Sequence, residues 1–158
     1  ALDEWIAAKG YVRPGLSLES LAREVGCNRS YLSRYVNSEL GLNFKSWIRA
    51  LRIAESQRLL LEHPGASALE VGEMVGIHGR STFFAQFSEV TGMSPGEYRR
   101  RRRLDRVMEL ILQSDLTLKE IAAEVGMAHV THLYALLGTR FTETPAELVR
   151  HYREARQK

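Results

Sequence analysis

Three glycines set the frame for this chain. Gly26, Gly76 and Gly126 recur at an interval of 50 residues, and they close the related segments LSLESLAREVG, ALEVGEMVG and LTLKEIAAEVG. In the first segment Leu18, Leu21, Ala22 and Val25 fall at i, i+3, i+4 and i+7, one face of a helix. A glycine after the last apolar position ends such a helix at little cost, because it enters the left-handed region without a Cβ clash. A second apolar-faced segment follows each glycine: SYLSRYVNSELG, STFFAQFSEVTG and VTHLYALLGTRF. A small polar residue then opens a further helix, with Asn43 before FKSWI, Ser94 before PGEYRR and Thr144 before PAELVRHYR. Pro95 and Pro145 take the first helical position, where a missing N–H is harmless. No stretch keeps a period of two. The simplest account is an all-α chain built from three copies of one unit.

The first copy shows what the unit is for. Asn28 can cap the second helix with its side-chain oxygen. In that helix Leu32, Tyr35 and Val36 are expected to face inward, leaving Arg29, Ser30, Ser33, Arg34 and Asn37 outward. An apolar back, a small-residue turn and a front of Arg, Ser and Asn make a helix-turn-helix, whose second helix can enter a major groove.

Residues 44–62, FKSWIRALRIAESQRLLLE, read as one continuous helix stopped by His63, Pro64 and Gly65. Trp47, Leu51, Ala54 and the group Leu59 to Leu61 are its expected apolar contacts. Such a helix spans roughly 28 Å, and successive major-groove faces lie about 34 Å apart. It can therefore hold two recognition helices on one side of a duplex. The division predicted is a first helix-turn-helix subdomain at 1–42, a connector helix at 43–65, a second subdomain at 66–103 and a third, degenerate unit at 104–158.

The second connector, EYRRRRRLDRVMELILQSD, has a good apolar face in Leu104, Val107, Met108 and Ile111. Arg102 stands where the first connector has Leu51, and the run Arg99 to Arg103 crowds one helix with like charge. A bent helix or a domain boundary is expected there. In the third copy Thr142 replaces the closing Gly92, and Gly138 falls inside the expected recognition helix, where glycine costs roughly 1 kcal/mol relative to alanine. Its outward residues Ala128, His129, Val130, Thr131, His132 and Ala135 include no arginine before Arg140, so this copy is expected to be a poorer base reader.

The formal net charge of +3 is modest, but 18 of the 22 basic residues are arginine, the side chain suited to bidentate contacts with phosphate and guanine. Cys27, the only cysteine, is read as a small buried residue at the turn and fits a reducing compartment. No run spans a bilayer and no signal peptide opens the chain, so a cytoplasmic location is expected. Leu2, Trp5 and Ile6 already read as a helix face, as in a piece of something longer. Phe83, Phe87 and Trp47 are assigned to the core, with Phe84 partly exposed. His129 and His132 lack a third ligand, so no metal or cofactor is expected. No phosphate-cradling glycine loop, G-x-S-x-G or paired acidic site points to an enzyme.

Residues 2–100 resemble the DNA-binding region of AraC/XylS-type transcription regulators. The resemblance rests on LAREVGCNRSYLSRYVNSELGLNFKSWI, on LRIAESQRLLLEHP, and on EVGEMVGIHGRSTFFAQFSEVTGMSPGEYRR, with Phe83, Phe87, Gly92, Pro95 and Tyr98 in the second-motif pattern. The opening, LDEWIAAKGYVRPGLSLESLA, looks most like regulators fused to sensor or hybrid two-component modules. The resemblance implies tandem homeodomain-like helix-turn-helix subdomains joined by long connector helices, binding double-stranded DNA in successive major grooves. It implies recognition roles for Ser30, Ser33 and Arg34 in the first motif and for Arg80, Ser81 and Ala85 in the second. Residues 104–158 resemble the connector and second motif again, so a third motif departs from the family's usual pair. Arg29 joins the candidate readers by its place on the second helix, and Arg34 is the candidate for reading guanine. Lys45 and Ser46, at the start of the connector, and Arg99, Arg100 and Arg101 are candidate phosphate contacts. A regulator also implies contact with RNA polymerase and a sensor domain or partner outside this chain. The competing expectation is an α-helical protein-interaction or dimerisation module, best supported by the third copy with Val130 and Leu136.

Overall fold

Side-chain caps start most of the helices. Ser17 accepts the Ser20 N–H at the start of α2 (Leu18–Glu24), and Asn28 caps α3 (Arg29–Leu40). Asn43 caps α4 (Phe44–Glu62), and Ser67 with Glu70 closes a capping box at α5 (Ala68–Met74). Thr117 with Glu120 does the same for α8 (Leu118–Glu124), and Thr144 with Glu147 for α10 (Pro145–Arg156). Each such cap is worth about 1 kcal/mol. The three turn glycines have φ of 72°, 83° and 77° at Gly26, Gly76 and Gly126, the left-handed conformation that ends the leading helix. The computed structural model describes residues 1–158. It is all-α, and α1 (Leu2–Ala7), a 3-10 turn (Gly10–Val12), α6 (Arg80–Thr91), α7 (Pro95–Gln113) and α9 (Val130–Gly138) complete it.

The chain divides into two compact units, Ala1–Pro95 and Gly96–Lys158. The division falls at the first turn of α7, whereas the sequence placed it after residue 103. In the second unit Leu104, Val107, Leu110 and Ile111 of α7 share one core with Ile121, Leu133, Leu137 and Leu148. The arginine run does not interrupt the helix, because α7 is continuous over 19 residues, the length of α4.

In the first unit one core gathers Trp5, Tyr11, Leu21, Leu32, Val36, Trp47 and Ile48. Four side chains differ from expectation, and Leu61 is one of them: it is exposed, while Leu59 and Leu60 of the same group are buried. Tyr35 is 39% exposed, since Leu32 and Val36 alone occupy the inward stripe of α3 and Tyr35 falls on its flank. Ala54 is exposed, because Ile53 and Ser56 face the interior in its stead. Cys27 is half-buried and not sealed.

The connector α4 is fastened to the chain before α2 by polar contacts. Arg52 donates to the carbonyls of Tyr11 (2.7 Å) and Arg13 (2.8 Å). In the second unit Arg153 of α10 repeats the device on the carbonyls of Ile111 (3.2 Å) and Leu116 (2.6 Å). Glu55, only 8% exposed, accepts from Lys9 Nζ at 2.7 Å and Arg58 Nη2 at 2.6 Å. The Arg58 hydrogen bond, with help from Lys9 and against the opposing effect of burial, holds the Glu55 carboxyl below its ordinary pKa. A depressed folded-state pKa supplies stability above the unfolded value and loses it as pH falls through the folded one. Unfolding free energy is therefore expected to drop as pH falls below the ordinary carboxylate range. Glu55→Gln should flatten that fall in denaturation curves taken across acidic pH, and an unaltered pH profile would refute the assignment.

The second helix of the third copy differs most. The helix α9 has 9 residues where α3 and α6 have 12, and it ends at Gly138. Gly138 is a terminus, not an interior defect. The chain closes over it with the Phe141 N–H on the Leu137 carbonyl (2.9 Å) and the Thr139 hydroxyl on the Leu136 carbonyl (2.6 Å).

Candidate nucleic-acid interface

The helix α3 is pinned from behind by Leu32 and Val36, which leaves Arg29, Ser30 and Arg34 exposed and Ser33 half-buried. The Asn28 cap accepts the Ser30 N–H at 2.7 Å and orients the first turn. Arg29 Nε lies 3.3 Å from Glu19, with both side chains more than half exposed. Such a pair contributes little and exchanges readily for another anion. Arg34 makes no side-chain ion pair. The Asn37 amide bonds the Ser33 carbonyl at 2.8 Å and so keeps its side chain on the helix surface.

The second motif reaches the same layout by other means. Gly79, at φ 86°, precedes α6 without a side-chain cap. Glu73 substitutes for one: its carboxylate bonds His78 and accepts the Gly79 N–H at 3.3 Å. The His78 bond first, and the Gly79 N–H second, hold the Glu73 carboxyl below its usual pKa. Phe83 and Phe87 are fully buried and anchor α6, so Arg80, Ser81 and Ala85 stand exposed. The Arg80 guanidinium lies 4.5 Å over the Phe84 ring, a contact worth about 0.5–1 kcal/mol at an exposed site. It limits the arc through which Arg80 can swing.

Both α3 and α6 pack on α4, and Arg49 of α4 meets Glu89 of α6 at 3.0 Å. Lys45 is exposed at the first turn of α4. The Ser46 N–H is already donated to Asn43 Oδ1 at 2.8 Å, so it is not a vacant phosphate donor. The arginine run is not uniform. Arg101 pairs with Glu97 at 2.9 Å and Arg102 with Asp105 at 3.7 Å. Arg100 is exposed, while Arg99 is half-buried, and burial lowers its pKa. His129 and His132 meet edge to face at 5.8 Å, and no three metal-ligating side chains come together. No helix is long and apolar enough to cross a membrane.

Sequence reasoning singled out none of four residues that shape this surface: Tyr31, Glu73, Arg49 and Glu89. Tyr31, 64% exposed on α3 beside Ser30, passed unnoticed because an aromatic at helical spacing resembles core. Glu73 and the Arg49–Glu89 pair carry no motif; only the fold brings each to its partner.

A tandem helix-turn-helix domain with two arginine-bearing second helices on one connector is a DNA-reading architecture. A family model described as a helix-turn-helix domain matches residues 21–101 and again residues 79–151, and the chain belongs to this AraC-type family of transcription regulators. It is 31% identical over 85 residues to the Msm operon regulatory protein of Streptococcus mutans, covering 54% of this chain and 30% of that protein. It is also 31% identical over 85 residues to the melibiose operon regulatory protein of Escherichia coli, covering 54% and 28%. The chain thus spans less than a third of these relatives' length. Among solved structures, the DNA-binding domain of AdpA in complex with a target DNA matches with a TM-score of 0.57 at 28% identity, covering 66% of this chain and 95% of that one. The C-terminal domain of AraT, a response regulator from Geobacillus stearothermophilus, matches with a TM-score of 0.56 at 32% identity, covering 63% and 80%.

Proposed function

We propose that the first unit binds duplex DNA with α3 and α6 in successive major grooves and α4 as the spacer between them. The observation that carries this reading is that both recognition helices pack on α4 while Arg34 and Arg80 remain exposed. Arg34, without an ion pair to break, reads guanine. Ser30, Ser33, Ser81 and Ala85 shape the fit to neighbouring base edges, and Arg29 exchanges Glu19 for DNA. Lys45 and Arg101 contact phosphate. The regulator works in the cytoplasm, meets RNA polymerase through an exposed helix face, and takes its signal from a domain or partner outside this chain. The greater length of the curated relatives supports the last point.

Selection of bound sequences from a random duplex pool tests the pair directly. Two conserved blocks about one helical turn apart are expected. Arg34→Ala should cost about 1–3 kcal/mol of discrimination at one base position and leave the others intact. If the variant selects the same sequences as the wild type, Arg34 is not the reader. Absence of any duplex binding at low salt would overturn the function itself.

A further inference from the structure

The second unit holds a cationic groove whose counterpart in the first unit is neutralised. The repeat allows the comparison residue by residue. In the first unit Arg49 of α4 pairs with Glu89 of α6 at 3.0 Å. The spacing of the turn glycines carries Glu89 to Thr139. The buried residues of the two connectors, Ile53 with Leu104 and Leu60 with Ile111, carry Arg49 to Arg100 and Arg52 to Arg103. The cations persist and the acid is gone. The Thr139 hydroxyl, turned to the Leu136 carbonyl, supplies no charge.

The result is a groove of about 320 Å³ between the first half of α7 and α9, lined by Arg99, Arg100, Arg103, His132 and Thr139 and by no carboxylate. Burial first, and the charge of Arg103 second, pull the Arg99 pKa down. The adjoining wall shares Arg100 and Thr139 and includes Glu97 and Asp105. Those acids already face Arg101 at 2.9 Å and Arg102 at 3.7 Å. Guanidinium groups crowded in a partly desolvated groove repel one another, and an anion among them removes the repulsion. Planar guanidinium forks match the oxygens of a phosphate group in particular.

We propose that the groove between α7 and α9 binds a phosphate group through Arg100, Arg103 and His132. The phosphate comes either from the backbone of a duplex or from a free phosphate or phosphorylated small molecule. In the first case the third motif holds DNA without reading it, in keeping with an α9 that carries no arginine. The site does not depend on α3 and α6 acting as readers.

The test uses the full chain and inorganic phosphate, with chloride of equal ionic strength as the reference. Phosphate is expected to raise the Tm of the wild type. Thr139→Glu restores the acid at the position of Glu89 and should abolish the rise. Arg103→Gln should reduce it, and it serves if the first variant does not fold. Thr142→Glu adds the same charge outside the groove and should behave as wild type. A second arm measures binding to a mixed-sequence duplex across salt concentrations. If the phosphate belongs to DNA, Thr139→Glu lowers the log–log salt slope by about 1. If it is free, the slope is kept and only the Tm response is lost. Either result supports the site. It is overturned if neither the phosphate response nor the slope distinguishes wild type from Thr139→Glu and Arg103→Gln. Failure of the DNA reading looks different: the wild type would bind no duplex at low salt, and the phosphate response would alone decide.

Discussion

Gly76→Ala is expected to destabilise the first unit by about 2–5 kcal/mol, from the left-handed penalty and overpacking together, whereas Gly26→Ala should cost only about 1–2 kcal/mol. Both glycines end the leading helix of a motif with positive φ, 83° and 72°. They differ in what surrounds them. A Cβ on Gly26 would meet open space, but one on Gly76 would lie 2.4 Å from the Val12 carbonyl oxygen and 3.3 Å from Arg52 Cζ. That carbonyl cannot easily retreat. Val12 lies between Tyr11 and Arg13, whose own carbonyls are both held by Arg52. Small domains have only about 5–15 kcal/mol of stability in hand, so the Gly76 variant should be largely unfolded under mild denaturant. Parallel denaturation curves of the two variants provide the check. Equal losses at the two positions would show that the turn of the second motif is not wedged against the first.

Salt is expected to act on DNA affinity more strongly than any single base contact. For six to ten phosphate contacts, raising salt from about 50 to about 200 mM weakens binding by roughly 10³–10⁵-fold, through release of condensed counterions. The candidate cations are placed to take part. Arg101 is exposed and faces a carboxylate across a surface ion pair, Glu97, that a phosphate can replace. Neutralising Lys45 or Arg101 singly should reduce the salt slope by about 1 and weaken all sequences alike, unlike Arg34→Ala. Gel-shift titrations on one duplex at several salt concentrations measure the slope. A flat profile would mean that phosphate contacts do not drive association, and would favour the protein-interaction reading over the DNA-binding one.

Much of the candidate site was legible from residue order. Arg29 and Arg34 read as outward residues of the first motif's second helix and stand exposed there, whereas Arg80, equally exposed, is implied only by the family resemblance. Ser46 was legible as a helix start, but not that the Asn43 side chain already takes its N–H. Tyr35 was placed inward by its spacing, though the core of α3 needs only Leu32 and Val36. The arginine run read as a single patch, yet neighbouring acids on the same helix pair two of its members.

The amino-acid order by itself determined the helices, their caps, the glycine turns and the recurrence of the unit. All of these depend on interactions within three or four residues, and a repeated pattern of polar caps and apolar faces records them directly. Tertiary structure alone decided which glycine is wedged, which acid is sunk among cations, and which groove keeps its charge. Lys9 meets Glu55 across 46 residues and Arg49 meets Glu89 across 40, and no sequence period marks either pair. Two copies of one pattern therefore fold alike and still differ in chemistry, because packing between elements, and not the pattern within them, sets what each side chain faces.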